Sequence, residues 1–369
     1  MKILVTGAKG FVGKNLINEL RNRKYTDIFE YDLDTKKELL EIYCKEADFV
    51  FHLAGVNRPK EQTEFMEGNF GFTSTLLETL KKYNNTCPIM LSSSTQAVFD
   101  NPYGLSKKAG EDLLFQYAKE TDAKVLIYRF QNIFGKWCKP NYNSAVATFC
   151  NNIANDLPIQ VNDRNASINL VYIDDVVEEL LNALNGKANK IGDFYSAPIG
   201  YSIKLGEIVD LIYSFKNSRK DLLIPDLSDE FTKKLYSTYL SYLPKNQFNY
   251  PLKTNKDDRG SFTEFIKTPD RGQVSVNVSK PGVTKGNHWH NTKCEKFLVV
   301  SGKGVIRFRR VGSDEILEYN VDGDNLEILD IPVGYTHNIT NVGDTDMITI
   351  MWANEQYNPD KPDTYQLEV

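Results

Sequence analysis

The hydrophobic pattern of this chain changes once, and that change constrains the fold more than any other feature. Up to about residue 243, short apolar runs such as residues 3–5 alternate with segments of helical periodicity such as residues 13–21. This alternation is typical of a doubly wound parallel sheet. From about Gln273 onward, period-2 strands such as residues 274–278 are separated by glycine and aspartate turns. The second pattern predicts an all-β barrel or sandwich.

The predicted boundary between the two parts lies near Leu243-Pro244-Lys245. A polar, partly helical stretch precedes it, and a charged, turn-rich segment at 253–260 follows it. A chain of 369 residues is long enough to bury two separate cores. We therefore predict a first domain over residues 1–243 and a second domain over residues 244–369.

Charge and cysteine content limit the partners to expect. The net charge of -5 gives no electrostatic reason to expect nucleic acid. The five cysteines are scattered and lack a Cys-x-x-Cys pair, which indicates reduced thiols rather than a disulfide framework. The strand pattern begins directly after Met1, with no basic leader, and the chain has no apolar run of about 18 residues or more. We expect a cytoplasmic protein without membrane insertion.

A glycine-rich turn follows the first strand and opens the first helix, with the sequence Gly7-Ala8-Lys9-Gly10-Phe11-Val12-Gly13. Glycines at this spacing let the main chain approach a pyrophosphate at the positive end of a helix. The turn therefore predicts a dinucleotide cofactor, although a plain strand-to-helix turn also uses glycine. The residues predicted to contact the cofactor are Gly7, Gly10, Phe11, Val12, Gly13, Asp32, Leu53, Ala54, Tyr103 and Lys107.

Asp32 bears on the choice between NADH and NADPH. It ends the second strand, where a carboxylate would bond the ribose hydroxyls and repel a 2′-phosphate, which favours NADH. Lys36 and Lys37 follow closely and could receive that phosphate instead. Asp32 could equally be an ordinary turn residue, so the sequence leaves the choice open.

The motif Tyr103-x-x-x-Lys107 follows the predicted strand 89–91 and three serines that end at Ser94. Residues four apart share one face of a helix, so the Lys107 ammonium would lower the pKa of the Tyr103 phenol. Tyr103 would then protonate a carbonyl oxygen, Ser94 would hydrogen-bond that oxygen, and a nicotinamide would deliver hydride to the carbon. This spacing also occurs on ordinary helix faces, but here it stands in register with the glycine turn.

Further segments extend this set: His52-Leu53-Ala54-Gly55, Asn69, residues 129–135 and residues 171–176. With them, the first domain resembles the extended short-chain dehydrogenase/reductase family. The resemblance implies a Rossmann-like fold, NAD(P) on the glycine turn, and catalysis by Ser94, Tyr103 and Lys107. Thr95-Gln96 stand where the sugar-nucleotide dehydratases of that family carry an Asp-Glu acid pair, so dehydration is not expected.

Three of the four histidines lie in the predicted second domain, as His288-x-His290-x4-Glu295 followed by His337. Two residues apart on a strand, His288 and His290 point to the same side, as ligands of one ion must. Imidazoles with a carboxylate suit zinc, iron, nickel or manganese. The pattern predicts a divalent metal site formed by His288, His290, Glu295 and His337.

These residues resemble both cupin motifs, except that Leu326 stands where a glycine is usual. The segment 258–265 resembles the opening of cupin-type epimerases of nucleotide-linked ketosugars. The resemblance implies a jelly-roll domain in which His288 is the catalytic base and Lys296 lies beside the keto oxygen. His288 is then either a fourth metal ligand or a base beside three ligands, which would leave an open position for a substrate oxygen. Lys296 could also be an ordinary exposed strand lysine.

The order of the two parts has a chemical reason, because an epimerase acting beside a ketone can feed a reductase that consumes it. The whole chain resembles the bifunctional capsular polysaccharide enzymes. That resemblance implies a UDP-linked 4-keto-6-deoxy-N-acetylhexosamine, epimerised at carbon 3 by the cupin domain. Reduction at carbon 4 with NADPH would then give UDP-N-acetyl-6-deoxy-L-talosamine, the precursor of UDP-N-acetyl-L-fucosamine. Zinc and a homodimer are implied as well.

Three alternatives stay open from the sequence. The second domain could be a non-catalytic cupin that only binds sugar or mediates dimerisation, with all chemistry in the reductase. It could be an iron cupin dioxygenase, which would consume oxygen. The first domain could be a redox-neutral epimerase that holds NAD tightly and does not consume it.

Overall fold

The computed structural model describes residues 1–369 and divides the chain into two compact units. The first unit comprises Met1–Tyr213 and Glu230–Pro244, and the second comprises Ser214–Asp229 and Lys245–Val369. This division differs from the single boundary expected near residue 243, because the segment Ser214–Asp229 belongs to the second unit. Main-chain pairing explains this difference, because Lys267 donates to the Leu222 carbonyl at 2.8 Å and its own carbonyl accepts from Ile224 at 2.8 Å.

The first unit contains β1 (Ile3–Thr6), α1 (Phe11–Asn22), β2 (Ile28–Tyr31), α2 (Lys37–Glu46), β3 (Phe49–His52), α3 (Glu64–Met66), a π-helical turn (Glu67–Gly71), α4 (Phe72–Lys82), β4 (Ile89–Ser94), a 3₁₀ turn (Thr95–Val98), α5 (Pro102–Thr121), β5 (Val125–Phe130), β6 (Asn132–Phe134), α6 (Ala145–Ala154), β7 (Ser167–Tyr172), α7 (Ile173–Leu184), β8 (Lys190–Ile191), β9 (Phe194–Tyr195), β10 (Tyr201–Lys204), the start of α8 (Leu205–Asp221) and α9 (Glu230–Leu240).

Seven strands form the main sheet of the first unit, in the order β2-β1-β3-β4-β5-β9-β8. Every neighbouring pair is parallel except β8 with β9. Apolar side chains of α1 and α7 pack on one face, and those of α2, α4 and α5 pack on the other. The predicted doubly wound, Rossmann-like sheet is confirmed. The chain moves to opposite sides of β1 to form β2 and β3, and ligands bind at the strand ends beside such a switch point.

The second unit contains the end of α8, a 3₁₀ turn (Lys245–Gln247), β11 (Thr254–Asp257), β12 (Gly260–Lys267), β13 (Gln273–Ser279), β14 (Thr284–Trp289), β15 (Glu295–Ser301), β16 (Lys303–Arg310), β17 (Ile316–Asp322), β18 (Ile328–Ile331), β19 (Tyr335–Asn341), β20 (Met347–Ala353) and β21 (Tyr365–Gln366).

Two antiparallel sheets build this unit, in the orders β11-β12-β13-β20-β15-β18 and β17-β16-β19-β14-β21. Phe297 and Val299 from the first sheet and Ile306, Phe308 and Ile339 from the second belong to one buried cluster. Alternating burial along β13 shows the period-2 pattern expected from the sequence. From Gln273 onward the chain forms only strands and the segments that join them, so the predicted all-β character of that part is confirmed. None of the helices in the protein is long and apolar enough to cross a membrane.

Candidate functional site

The glycine turn lies at the switch point of the first unit, between the ends of β1 and β3. Gly7 has a φ of +68°, and a Cβ there would lie 2.7 Å from the main-chain nitrogen of Ala54. A Cβ on Gly13 would lie 2.2 Å from the Gly7 carbonyl oxygen. Glycine is therefore required at both positions, because any side chain would force the turn open. The main chain of Leu53 and Ala54, two residues predicted to contact the cofactor, lies directly against Gly7 of this turn.

Asp32 acts on the same turn in a way the sequence does not reveal. Its carboxylate accepts from the main-chain nitrogens of Lys9 at 2.7 Å and Leu33 at 2.8 Å, so it holds the middle of the glycine turn. Lys36 is the N-cap of α2 and Lys37 is its first residue, and both are exposed.

Helix α5 begins where its sequence dictates. The Asn101 side chain accepts from the Gly104 nitrogen at 2.9 Å, and Pro102 occupies the first turn, where no main-chain donor is needed. A Cβ on Gly104 would lie 2.4 Å from the Gln96 carbonyl oxygen, so the helix packs tightly on the turn after Ser94. This packing brings the Tyr103 phenol within hydrogen-bonding reach of Ser94.

The electrostatics of this pair differ from the expectation. Burial raises the pKa of Tyr103, and the hydrogen bond with Ser94 offsets this only in part. The Lys107 ammonium lies 5.9 Å from the centre of the Tyr103 ring and donates to the Ser92 carbonyl at 3.0 Å. Burial also lowers the pKa of Lys107 to about 8, against the charge of Glu111, which raises it. In the protein alone the net pKa of Tyr103 is therefore raised rather than lowered as expected, because desolvation outweighs the groups that favour the phenolate.

Sequence reasoning missed the groups that surround Lys107. Glu111, one helical turn further along α5, is fully buried and accepts from Ser93 at 2.6 Å. Arg129 donates to both oxygens of the same carboxylate, at 2.9 and 2.6 Å. The signal was present, because Tyr103, Lys107 and Glu111 repeat every four residues on one face.

Asn69 also belongs to this site and lies in the π-helical turn. Its amide donates to Ser106 at 2.9 Å and to the Val56 carbonyl at 3.0 Å. A Cβ on Gly55 would lie 2.8 Å from its amide oxygen and 3.0 Å from the Lys107 nitrogen. Gly55 therefore leaves space for both polar groups, which explains the glycine after Ala54.

In the second unit, His288, His290, Glu295 and His337 come together between the two sheets. One ligand atom from each residue lies within 4.8 Å of all the others. The Glu295 carboxylate lies 3.5 Å from the His290 Nε2 and 3.4 Å from the His337 Nε2. The positions follow from pairing, since His288 on β14 is opposite His337 on β19. The structure thus gathers all four residues that the sequence predicted as ligands.

The chemistry of this cluster fits a metal ion. The buried Nε2 atoms of His290 and His337 and the Oε2 atom of Glu295 have no hydrogen-bond partner. Buried polar atoms without partners are costly, and a cation would satisfy all three. Burial would raise the pKa of Glu295, but the neighbouring imidazoles and Lys293 bring it below its usual range. Burial, with the nearby His337, lowers the pKa of His288 to about 4, which keeps that imidazole neutral.

A cavity of about 480 Å³ opens onto the cluster, and its lining includes His288, Glu295, His337, Lys285 and Lys293. Lys293 lies 3.7 Å from the Glu295 carboxylate, and Lys285 donates to Asn277 at 2.8 Å.

Lys296 does not line this cavity. It is exposed and forms an ion pair with Asp330 on the outer surface. The prediction that Lys296 lies beside the keto oxygen is wrong, because consecutive strand residues point to opposite faces and Glu295 points inward. The sequence already indicated this outward position, because consecutive residues of a strand cannot both point toward one ion.

Comparisons with known proteins match the two parts of the chain separately and together. The NAD dependent epimerase/dehydratase family matches residues 3–196, and the polysaccharide biosynthesis C-terminal domain matches residues 255–365. A UDP-2-acetamido-2,6-beta-L-arabino-hexul-4-ose reductase of Pseudomonas aeruginosa is 44% identical over 100% of this chain and 99% of its own. The crystal structure of capsular polysaccharide assembling protein CapF from Staphylococcus aureus superposes with a TM-score of 0.95 at 60% identity, covering 100% of both chains. The chain belongs to the CapF family of NAD dependent epimerase/dehydratase proteins.

Membership of the CapF family accounts for both units at once, since the similarity extends over the whole chain. A structure of CapF with the inhibitor 3-isopropenyl-tropolone is also similar, with a TM-score of 0.91 at 55% identity over 100% of both chains. The UDP-glucuronic acid 4-epimerase of Bacillus cereus in complex with NAD is similar in fold, with a TM-score of 0.51 at 22% identity over 59% of this chain and 84% of its own.

Proposed function

We propose that this chain carries out two successive reactions on one UDP-linked 4-keto-6-deoxy-N-acetylhexosamine. The second unit, as a cupin-type epimerase, inverts carbon 3, and the first unit reduces the 4-ketone with NADPH to UDP-N-acetyl-6-deoxy-L-talosamine. This product is the precursor of UDP-N-acetyl-L-fucosamine for capsule synthesis. One combination of observations carries the proposal. The chain is related over its full length to a UDP-ketosugar reductase, and it also contains a buried cluster whose unpartnered atoms suit a metal.

The reductase chemistry follows from the side chains at the start of α5. A bound nicotinamide cofactor supplies the hydride. The Tyr103 hydroxyl donates a proton to the ketone oxygen, and Ser94, already in contact with that hydroxyl, holds the same oxygen. The Lys107 ammonium, on the same helix face, favours the phenolate that Tyr103 becomes. The burial of Lys107 excludes water, and the attraction between its ammonium and the phenolate is stronger as a result.

The epimerase chemistry divides the four residues of the cluster by their exposure. His290 and His337 are buried and, with Glu295, would hold a divalent cation, most simply zinc; bound there, it supplies Lewis acidity toward a ketone oxygen. His288 faces the cavity as a neutral imidazole and removes the proton from carbon 3. Return of a proton to the opposite face inverts that carbon.

The tropolone complex of a CapF structure supports a metal centre in this family. A tropolone carries a carbonyl and a hydroxyl oxygen on adjacent carbons, and hard oxygen donors of this kind bind divalent cations. The hydroxy-ketone edge of a ketosugar offers similar oxygens.

We also propose a homodimer, as the similarity to the bifunctional capsular enzymes implies.

NADPH as the cofactor has to be reconciled with Asp32. The Asp32 carboxylate already accepts two main-chain hydrogen bonds, one from Lys9 in the glycine turn and one from Leu33, so it is engaged by the protein itself. We propose that Lys36 or Lys37, both exposed at the start of α2, pairs with the 2′-phosphate. Steady-state kinetics with NADH and NADPH test this, and a clear preference for NADH would contradict it.

The experiment that tests the whole proposal uses the full chain, the 4-keto UDP-sugar and heavy water. Without NADPH, deuterium should enter carbon 3, and on addition of NADPH the product should carry that deuterium and a newly formed carbon-4 hydroxyl by NMR. Reduction without deuterium at carbon 3 would instead support a reductase joined to a non-catalytic cupin.

A further inference from the structure

The strand β21 and its neighbours run alongside the candidate metal cluster, although they are far from most of its residues in sequence. Gln366 pairs with His288, and the Leu367 nitrogen donates to the Asn287 carbonyl at 2.9 Å. The Leu367 carbonyl also accepts from the Thr336 hydroxyl, next to His337. The segment 363–367, here called the strap, is thus hydrogen-bonded to β14, which carries His288, and to β19, which carries His337.

Asp363 opens the strap and contacts the chain between two of the proposed ligands. Its carboxylate accepts from the main-chain nitrogens of Asn291 at 3.0 Å, Thr292 at 2.7 Å and Lys293 at 2.8 Å. It also accepts from the Thr292 hydroxyl at 3.0 Å. Those three residues form most of the turn that joins His290 to Glu295, so one carboxylate fixes the turn.

The main chain of Asp363 acts on His290 directly. The carbonyl oxygen of Asp363 forms a hydrogen bond with the His290 Nδ1 atom. A carbonyl can only accept, so Nδ1 carries the proton and Nε2 keeps its lone pair. That Nε2 atom is the buried, unpartnered one that faces Glu295.

We propose that Asp363 is a positioning residue of the metal centre, fixing the tautomer of His290 through its carbonyl and the spacing of His290 and Glu295 through its carboxylate. This rests on the proposed function in that it takes the cluster to be a metal site. Outer partners of this kind orient ligands before the ion binds, and losing one typically costs about 10- to 100-fold in metal affinity.

The test measures zinc binding by the full-length protein in competition with a chromogenic chelator, together with hydrogen exchange of the metal-free protein. Asp363→Ala should weaken zinc binding about 10- to 100-fold and speed amide exchange at residues 291–293. Asp360→Ala is the matched control, because Asp360 is exposed on the approach to the same strap and should change neither quantity.

A second variant guards against failure to fold. Asp363→Asn keeps an acceptor oxygen but loses the charge that strengthens its hydrogen bonds, so a smaller loss of zinc affinity is expected. Thermal unfolding of the metal-free proteins identifies any variant that is globally destabilised.

The outcomes separate the inference from the proposed function. If the wild type binds zinc and a folded Asp363→Ala or Asp363→Asn variant binds it equally well, the positioning role of the Asp363 carboxylate is refuted while the metal site stands. If the wild type does not bind zinc or another divalent cation, the proposed metal centre itself is refuted, and the role of Asp363 falls with it.

Discussion

The two candidate sites of this protein are built in opposite ways. Tyr103 and Lys107 lie one turn apart on a single helix, so their spacing in sequence is also their spacing in space. The candidate metal cluster takes its residues from β14, the turn after it, β15 and β19, and the strap adds hydrogen bonds from a fifth place in the chain. A local site can be identified from a short motif. A non-local site needs its supporting contacts before its geometry is defined.

The supporting charges differ as well. Behind Lys107 lies a buried carboxylate, Glu111, that is held by Arg129 and Ser93. The proposed metal ligands are supported differently: Lys293 lies 3.7 Å from the Glu295 carboxylate, while the unpartnered Nε2 atoms of His290 and His337 lie 3.5 and 3.4 Å from that same carboxylate. We expect the first site to depend on pH through Lys107 and the second to depend on metal supply.

The largest expected effect separates the two sites. Tyr103→Phe removes the proton donor of the reductase and should lower reduction by about 10²- to 10⁴-fold while solvent deuterium still enters carbon 3. Parallel assays of NADPH oxidation and deuterium uptake measure both activities on one preparation. Loss of both activities in a folded variant would show that the sites are not independent.

The converse change is His290→Ala. It removes one of three proposed ligands. Loss of a residue that only orients a ligand costs up to about 100-fold in metal affinity, so here zinc binding and deuterium uptake should both fall by at least about 100-fold. Reduction of substrate already epimerised at carbon 3 should continue.

His288→Ala distinguishes a base from a fourth ligand. If His288 is the base, the change should abolish deuterium uptake and leave zinc binding intact, whereas loss of a fourth ligand would weaken both.

Glu111→Gln probes the buried carboxylate behind Lys107. Glu111 raises the pKa of Lys107, which burial holds at about 8, so its loss lowers that pKa further. Lys107 must be protonated to favour the phenolate, and it loses its proton as the pH rises through its pKa. The alkaline fall of kcat/KM for reduction should therefore move to lower pH, with deuterium uptake unchanged. An alkaline limb at or above the wild-type position would contradict this role.

The smallest effect is expected on the outer face of the second unit. Lys296→Ala breaks an exposed ion pair with Asp330, and such pairs contribute about 0–1 kcal/mol to the free energy of unfolding. Deuterium uptake should stay within about twofold of wild type, because exposed substitutions away from a site are usually nearly neutral. Lys293→Met is the inward-facing comparison and should lower uptake. Equal effects of the two changes would undermine the assignment of faces.

The sequence predicted the parts that depend on local rules. The alternation of strands and helices predicted the parallel sheet, and the glycine spacing predicted a tight turn between the first strand and the first helix. For Lys296 the sequence left two interpretations open, and the structure shows the exposed strand lysine rather than the position implied by the family resemblance. Asp363 could not be found, since a carboxylate that accepts main-chain hydrogen bonds from 70 or so residues away has no spacing to recognise. The burial that raises the Tyr103 pKa likewise depends on tertiary packing.

The most direct test of the central claim is deuterium uptake at carbon 3 by the full-length protein before and after removal of metal with a chelator, in heavy water and without NADPH. Uptake should disappear in the stripped, still-folded protein and return with added zinc, while NADPH-dependent reduction of epimerised substrate persists throughout. Undiminished uptake by the stripped protein would contradict a metal-assisted epimerase in the second unit.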